Sequence, residues 1–450
     1  MLTHRTLLIP SKPPGRQRGA ATLIVVMLLF FVISMTAAYT GRNLIFEQRT
    51  SANQYRSTQS IEAAEAGLEW AIALLNSGRI DDNCLPTTDL SLGSIRQRYL
   101  TFYDPDAPNP AIGLDAPGKV VPKLRSDLVS TPVFGCVFNG TDWVCSCPTD
   151  LNADPALAAP TGAGQFPAFG VRFWRLAGSP GAVRIEVSGC TQWDLACINY
   201  VATGGGVSAN NCRKHMCALV ALHSGMKVPP AAPVTSRGGV SGTSLAVYNP
   251  DSGSGGTTIH AGSIVSVTSL IVGSAPGSPA SKSTIENDTA LAALPADATD
   301  CRHCVFSSVF NLSPSSYKDQ PAVVDVDCTG SCDAAGIATK AAENPGRILW
   351  LRGAGGLSLS TATTIGSQTQ PALLVVEGPV TATGGATVFG LIYAQSPDLS
   401  NGTFNGAIVA GNSLTGSGSA EIVYDPKVMY WLRYTTGSFV RVPGSWRDFP

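Results

Sequence analysis

The sequence predicts an α+β fold, in which a long N-terminal helix with a small antiparallel sheet precedes a mainly-β C-terminal domain of β-solenoid type. Three observations predict it. Residues 20–76 contain an apolar run and then apolar residues three or four apart, as in one long helix. Residues 170–190 alternate between apolar and polar side chains, as in a hairpin. From residue 237 onward, short apolar runs alternate with turn residues, which indicates stacked coils, although a two-sheet sandwich has a similar pattern.

The helix begins with an apolar run that is long enough to span a membrane. The segment AATLIVVMLLFFVISMTAAY, residues 20–39, contains no formal charge. At about 1.5 Å per helical residue it covers the ~30 Å hydrocarbon core of a bilayer. The helical spacing continues beyond it, and Gly78 provides a stop signal. The apolar residues that keep this spacing are Ile61, Ala64, Leu68, Ile72 and Leu75.

Three kinds of membrane segment contain such a run, and its flanks distinguish them. A secretory signal has a shorter apolar core with small residues after it, whereas here the small residues at the junction precede the run. An ordinary anchor fits the basic leader but does not explain a helix that continues with almost no turn residue. The third kind is a type IV prepilin, in which a basic leader ending at Gly19 is cleaved before Ala20 and a hydrophobic helix follows.

These residues resemble the N-terminal region of PilX-family minor pilins. The resemblance covers about residues 16–76 and includes RQRGAATLIVVMLLFF and EQRTSANQYRSTQSIEAAEAGLEWAIALLNSG. In most pilins the fifth residue of the mature chain is glutamate, but here it is Ile24. The resemblance implies that this glutamate neutralises the N-terminal amine of a neighbouring subunit inside the apolar fibre core, where an unpaired charge is costly. A subunit with Ile24 is therefore tolerated best at a fibre tip, where no subunit lies above it, or where incorporation is rare.

The resemblance also implies an assembly route and a set of partners. Residues 1–19 would be a leader that prepilin peptidase removes between Gly19 and Ala20, and residues 20–39 would hold the single-pass precursor in the inner membrane. The mature chain would then enter or prime a type IV pilus at the cell surface. Its partners would be major and minor pilins, with a tip adhesin or a surface glycan bound by the head. The residues expected on the assembly helix are Leu23, Ile24, Val26, Phe30 and Ile33.

Composition divides the remainder of the chain into further domains. Residues 77–225 are predicted to form the pilin-like globular part with antiparallel strands, and the proline-containing residues 226–236 a linker. Residues 237–426 are predicted to form the β-rich head. An insertion at 285–345 interrupts it and is either a binding loop or a disulfide-tied flap. The aromatic and Arg-rich residues 427–450 are predicted to cap the last coil.

The twelve cysteines predict disulfides, because an exported chain meets an oxidising compartment. Sequence alone does not give their connectivity. The motif Cys301-Arg-His-Cys304 is also compatible with a redox pair or half of a zinc site, but no thioredoxin-like pattern surrounds it, so a structural bridge is favoured. The close couples are Cys145 with Cys147, Cys190 with Cys197, Cys212 with Cys217, Cys301 with Cys304, and Cys328 with Cys332, which leaves Cys84 and Cys136.

The sequence contains no pattern that predicts catalysis, a cofactor or a metal centre. The acids of the head, such as Glu377, Glu421 and Asp425, are mostly isolated, and neither HExxH nor GxSxG occurs. Asp325 opens a segment like an EF-hand loop, but the twelfth position is Gly336 instead of glutamate. The formal charge of -1 does not predict binding to nucleic acid. We therefore expect a structural surface protein and not an enzyme.

Two other classes of protein remain compatible with this sequence. A membrane-tethered carbohydrate-active enzyme would use the same solenoid head, and a cluster of carboxylates in a groove would favour it. A pseudopilin of type II secretion would share the residue Ile24, but it would push effectors out of the periplasm. The identity of neighbouring genes would separate the pseudopilin from the minor pilin.

Overall fold

The chain forms one long N-terminal helix and a mainly-β region. The computed structural model describes residues 18–104, 120–124, 131–162, 164, 166–176, 181–199 and 216–446, so most of the predicted leader lies outside the described residues. The chain divides into two units, Met1–Gln59 and Ser60–Pro450. The helices of the described part are α1 (Arg18–Leu75), α2 (Ile95–Tyr99), α3 (Leu195–Ile198), α4 (Thr289–Ala292), α5 (Val305–Phe310), α6 (Pro314–Lys318), α7 (Ala334–Glu343) and α8 (Pro426–Thr435).

The strands are short in most of the chain and longest near its C-terminus. In the first part of the sequence they are β1 (Leu100–Phe102), β2 (Val120–Pro122), β3 (Phe134–Phe138), β4 (Trp143–Ser146), β5 (Ala168–Arg175), β6 (Ala182–Cys190) and β7 (Met216–Ser224). They continue as β8 (Val234–Ser236), β9 (Val240–Tyr248), β10 (Ile259–Ala261), β11 (Val265–Gly273), β12 (Thr284–Ile285), β13 (Val323–Asp327), β14 (Cys332–Asp333) and β15 (Ile348–Arg352). The last are β16 (Leu357–Leu359), β17 (Thr364–Ile365), β18 (Ala372–Val376), β19 (Val380–Ala382), β20 (Thr387–Ala394), β21 (Pro397–Ala410), β22 (Leu414–Val423) and β23 (Gly437–Arg441).

In the unit Met1–Gln59, α1 is helical from its first described residue. The side chains of residues 21–58 are exposed in the isolated chain, and the helix is long and apolar enough to cross a membrane. The hydroxyl of Thr40 donates to the carbonyl oxygen of Thr36 at 2.9 Å, and that of Thr36 donates to Val32. Such bonds satisfy hydroxyl groups without water, which suits a segment within a bilayer.

In the unit Ser60–Pro450, the last turns of α1 lie in a hydrophobic core. Ala64, Leu68, Ala71 and Leu75 are three or four residues apart and are buried, so they form one apolar face. They belong to the same cluster as the buried side chains of an antiparallel sheet. The predicted spacing is confirmed at Ala64, Leu68 and Leu75, whereas Ile61 is exposed.

Among the described residues, six strands form this antiparallel sheet in the order β23-β7-β6-β5-β3-β4. The predicted hairpin is present as β5 and β6, with Phe173 opposite Ile185. Val183, Ile185 and Val187 are fully buried on the face that packs in the helix core, as their alternation predicted. The turn of the hairpin, residues 177–180, is outside the described part.

The other large sheet is parallel. Its described strands follow the order β11-β9-β22-β21-β20-β18-β15-β13, and shorter strands pair beside this path. Equivalent residues of successive strands lie opposite one another, so that columns of side chains cross the sheet. One buried column is formed by Leu349, Leu374, Ile392, Ile408, Val234 and Ile259.

The order of these strands in space differs from their order in the sequence. The strand β21 pairs with β8, and β22 pairs with β9, so the first strands of this sheet pair with its last. The strands β11 and β13 therefore lie at opposite ends of the sheet. Residues 286–322 connect these ends and contain α4, α5 and α6.

Parts of the predicted linker and insertion belong to the parallel sheet. Residues 234–236 of the predicted linker form β8, where Val234 is fully buried. Residues 323–333 of the predicted insertion form β13 and β14, which pair with β15 and β16. Proline and cysteine content marked these boundaries in the sequence, but the strands pair where Val234 is buried and where Val324 and Val326 are partly buried against the core.

The predicted C-terminal cap also differs from the structure. The strand β23 pairs with β7 in the antiparallel sheet, and Phe439 lies fully buried in the helix core. The helix α8 packs against β20, β21 and β7, and β20 and β21 lie inside the strand order of the parallel sheet. Within its described residues, the C-terminal segment therefore joins the two sheets.

Candidate functional site

The predicted assembly residues lie on α1 and are all exposed in the isolated chain: Leu23, Ile24, Val26, Phe30 and Ile33. Four of them, at positions 23, 26, 30 and 33, follow helical spacing and share a face, and Ile24 lies beside it. Gly19 is exposed at the start of the helix, and Ala20 follows within the same helix. The first acidic residue of the chain is Glu47, so the apolar part of α1 contains no carboxylate.

Two glycines allow α1 to approach the antiparallel sheet closely. A Cβ atom on Gly67 would lie 2.7 Å from side-chain atoms of Phe169 and Val187. A Cβ atom on Gly189 in β6 would lie 1.9 Å from the carbonyl oxygen of Ser60 and 2.7 Å from the amide nitrogen of Ala64. Since real Cβ atoms do not come so close, only glycine fits at either position.

Aromatic side chains fill the remainder of the contact between helix and sheet. The ring of Trp70 on α1 lies 5.6 Å from that of Phe134 and 5.4 Å from that of Phe169, measured between centroids. Phe134 in turn contacts Tyr99 at 4.8 Å. Tilted and edge-on aromatic pairs stabilise by about 0.5–1.5 kcal/mol each beyond their burial. The segment AAEAGLEWA, on which the resemblance depends, is thus the part of α1 that binds the head.

A buried arginine joins the end of α1 to both sheets. Arg96 donates from Nη1 to the carbonyl oxygen of Gly346 at 2.9 Å, and from Nη2 to that of Gly437 at 2.7 Å and to Oδ1 of Asn76 at 3.1 Å. Its Nε donates to the carbonyl oxygen of Leu75, the last residue of α1. Carbonyl groups at a helix C-terminus lack partners within the helix, and Arg96 supplies one.

Asn76, which accepts from Arg96, completes this contact at β23. Its Nδ2 donates to the carbonyl oxygen of Phe439 at 2.9 Å, and its Oδ1 accepts from the amide of the same residue at 2.8 Å. The guanidinium of Arg96 lies 4.9 Å from the centroid of the Phe439 ring. Burial, and secondarily the charge of Arg347, lowers the pKa of Arg96 to about 9. The group therefore remains a cation at neutral pH, stabilised by carbonyl oxygens and an aromatic face.

Between residues 84 and 147, the observed disulfides differ from one predicted couple. Cys84 is bonded to Cys147 and Cys136 to Cys145, so Cys145 and Cys147 do not pair with each other. Cys136 and Cys145 lie directly opposite in the antiparallel strands β3 and β4, where their Cα atoms are 4.0 Å apart. The pairing of β3 with β4 places these two cysteines next to each other, and this proximity in space, not closeness in sequence, determines the disulfide.

The remaining cysteines follow the close couples. Cys190 is bonded to Cys197, Cys301 to Cys304, and Cys328 to Cys332. Cys217 is also in a disulfide, and its predicted partner Cys212 lies outside the described residues.

Asp297 lies beside one of these bridges. One oxygen of Asp297 and the sulfurs of Cys301 and Cys304 lie within 4.8 Å of one another, a spacing that suits a metal ion. Both sulfurs are in the disulfide, however, and a disulfide offers no thiolate ligand. This arrangement agrees with the structural bridge that the sequence favoured.

These observations fit a pilin-like precursor, because an N-terminal apolar helix that is a candidate membrane anchor continues into the core of a mainly-β region. The comparison with protein families narrows this class, because residues 18–69 match the model of the PilX N-terminal domain. The predicted resemblance to PilX-family minor pilins is thereby confirmed over this segment. The searches of curated proteins and of solved structures found no match.

Proposed function

We propose that this chain is a minor pilin of PilX type. Its precursor is anchored by a single pass in the inner membrane, prepilin peptidase cleaves it between Gly19 and Ala20, and the mature chain enters or primes a type IV pilus. The observation that carries the proposal is that the PilX-matched segment ends inside the head, where Leu68 is fully buried. Such a helix serves as a membrane anchor before assembly and as a fibre contact afterwards.

A position at the pilus tip is supported by Ile24. In a fibre, the subunit above offers its N-terminal amine to the glutamate of the subunit below it, and an isoleucine at that position leaves the cation unpaired in an apolar core. At a tip no further subunit needs this partner. The size of the Ser60–Pro450 unit also favours a tip, because a large head is difficult to repeat along a closely packed shaft.

The parallel sheet supports a β-solenoid as the displayed head. Its columns of buried aliphatic side chains pass from one coil to the next in register, as stacked coils with a shared core require. A tip adhesin or a surface glycan would bind this head, and other minor and major pilins would bind α1. The structural role does not require an enzymatic activity.

N-terminal sequencing tests the proposal. The protein is extracted from membranes of wild-type cells and of cells that lack prepilin peptidase. We expect mature chains that begin at Ala20 in the wild type, and an uncleaved chain in the mutant. A mature chain that begins elsewhere, or one that is processed equally in both strains, would contradict the minor pilin assignment and favour an ordinary anchored protein.

A further inference from the structure

A cavity of about 360 Å³ lies on the outer face of the parallel sheet, under the segment that connects its two ends. Its floor is one row across three neighbouring strands, in which Trp350, Val375 and Tyr393 lie opposite one another. Phe306 of α5 and Lys318 of α6 line its sides. The volume falls in the range of small-ligand sites, which is about 300–1,000 Å³.

Glu377 stands on one wall of this cavity and is held by three donors. Its Oε1 accepts from Nε1 of Trp350 at 2.7 Å and from Nζ of Lys318 at 3.5 Å. Its Oε2 accepts from the amide of Gly353 at 3.3 Å. The side chain is about 39% exposed, so the carboxylate still has a face toward solvent. A carboxylate has about four acceptor positions, and three bonds leave one for a ligand.

Asp297 stands on another wall with the same arrangement. Its Oδ2 accepts from Nε2 of Gln395 at 2.7 Å and from the hydroxyl of Tyr393, and its Oδ1 accepts from the amide of Phe306 at 3.3 Å. Burial, and next the charge of Asp297, raises the pKa of Tyr393, so its phenol stays protonated and donates to the carboxylate. Both carboxylates are thus fixed in place before any ligand arrives.

The charges of the cavity select among ligand classes. Of the described residues that line it, Asp297, Glu377 and Lys318 carry charge at neutral pH, which gives a net negative site. Phosphates and other anions are therefore disfavoured. A purely apolar ligand would cover the remaining acceptor position of each carboxylate without a compensating bond. Neutral polyols and amines remain, because their O–H and N–H groups donate to carboxylates.

We propose that this cavity binds a neutral or amino sugar of an oligosaccharide. The C–H groups of a pyranose ring match the apolar floor and the Phe306 wall, whereas its hydroxyl groups donate to Asp297 and Glu377 and accept from Lys318. This site goes beyond assembly, which concerns α1. Its presentation at a pilus tip depends on the function proposed above, but the binding itself does not.

A printed array of neutral, amino and acidic oligosaccharides tests the site, with the full chain in nanodiscs as the probe. We expect binding to neutral or amino sugars and a loss of roughly tenfold or more in affinity for Glu377→Gln and Lys318→Gln. The matched control is Asp398→Asn, because Asp398 is an exposed carboxylate of β21 that does not line the cavity. This control should bind as the wild type does.

Other results would overturn the proposal. These are the absence of binding to any sugar on the array, a preference for acidic sugars, or equal binding by the cavity variants and the wild type at equal unfolding temperature. Lys318→Gln keeps the test decisive if Glu377→Gln does not fold, because Lys318 is about 31% exposed and its loss leaves the bond between Trp350 and Glu377 intact. Since purified protein is used, failure here is independent of processing and of pilus assembly.

Discussion

At the scale of single residues, the contact between α1 and the sheets depends on positions that carry no functional motif. Arg96 lies two residues after the capping serine of a five-residue helix and looks in the sequence like an ordinary surface cation. Its role depends on Gly346 and Gly437, which lie more than 200 residues away in the sequence and whose carbonyl oxygens accept hydrogen bonds from its guanidinium. Gly67 did carry a signal, because glycine in a helix interior is unfavourable and indicates a close approach.

Replacement of Arg96 tests this contact. Arg96→Met removes the guanidinium donor from the carbonyl oxygens of Leu75, Gly346 and Gly437 and one of the two donors to Oδ1 of Asn76, so we expect the free energy of unfolding to fall by about 3 kcal/mol or more. Denaturant unfolding monitored by tryptophan fluorescence measures it. The control is Arg352→Gln, which removes an exposed ion pair with Asp325 and should cost below about 1 kcal/mol. Equal losses for both variants would contradict the role of Arg96.

The two packing glycines give a second prediction. Gly189→Ala and Gly67→Ala each place a methyl group where backbone or ring atoms already lie, so we expect each to destabilise the fold by about 1–3 kcal/mol. Gly41→Ala in the same helix is the matched control, because nothing lies within 4 Å of its added Cβ. That variant should be neutral or slightly stabilising in a thermal unfolding assay. Destabilisation by Gly41→Ala alone would contradict the packing argument.

A buried acid gives a pH-dependent prediction. Burial raises the pKa of Glu186 above its ordinary value of 4.5, although Arg184 and Arg172 act in the opposite direction. The folded state therefore holds this proton more tightly than the unfolded state, and the contribution of Glu186 to stability decreases as pH rises above about 4.5. We expect the stability of Glu186→Gln relative to the wild type to increase between pH 4 and pH 6. A constant difference over this window would show that the carboxyl titrates normally.

At the scale of elements, the sequence predicted what depends on local pattern. The long helix, the hairpin β5–β6 and the apolar runs of the head follow from periodicities of 3.6 and 2 residues. The order of the strands in the parallel sheet does not follow from these periodicities, because the same aliphatic runs can pair with one another in several different orders. The position of β8 beside β21 depends on which columns of buried side chains fill the core together. The cavity at Asp297 and Glu377 was missed for the same reason, since only the strand order places these acids together.

The disulfides give a prediction at this scale. In the chain-entropy description, the bridge from Cys84 to Cys147 closes a loop with a separation of 63 residues, whereas the bridge from Cys328 to Cys332 closes one of 4. Removal of the first by paired alanine substitutions should therefore cost about 4 kcal/mol, and removal of the second about 2 kcal/mol. Unfolding of the two double variants measures the difference. A larger loss for the short loop would contradict it.

At the scale of the whole molecule, the proposed function requires the apolar half of α1 to fit two environments in turn. It would cross a bilayer in the precursor and contact other pilins in the fibre, and an uncharged helix suits both. The PilX N-terminal match covers residues 18–69, which include this half and most of the segment that enters the head.

The variant Ile24→Glu tests the argument for a tip position. A carboxylate at this position can pair with the N-terminal amine of a neighbour, so we expect more copies of the variant in each pilus and labelling along the shaft. Quantitative mass spectrometry of purified pili and immunogold labelling measure both. Ile33→Glu is the control, because it adds the same charge to the apolar helix away from the mature N-terminus and should reduce incorporation. Unchanged copy number for Ile24→Glu would contradict the argument.

The most direct test of the account is to find where the mature chain resides. Pili are sheared from cells and purified, and both the pili and the inner membranes are probed for this protein. We predict that the chain is present in the sheared pili in few copies and at their ends, and that cells without it form fewer pili. A chain that remains entirely in the inner membrane, in cells whose pili form normally without it, would contradict the central claim that it is a pilus subunit.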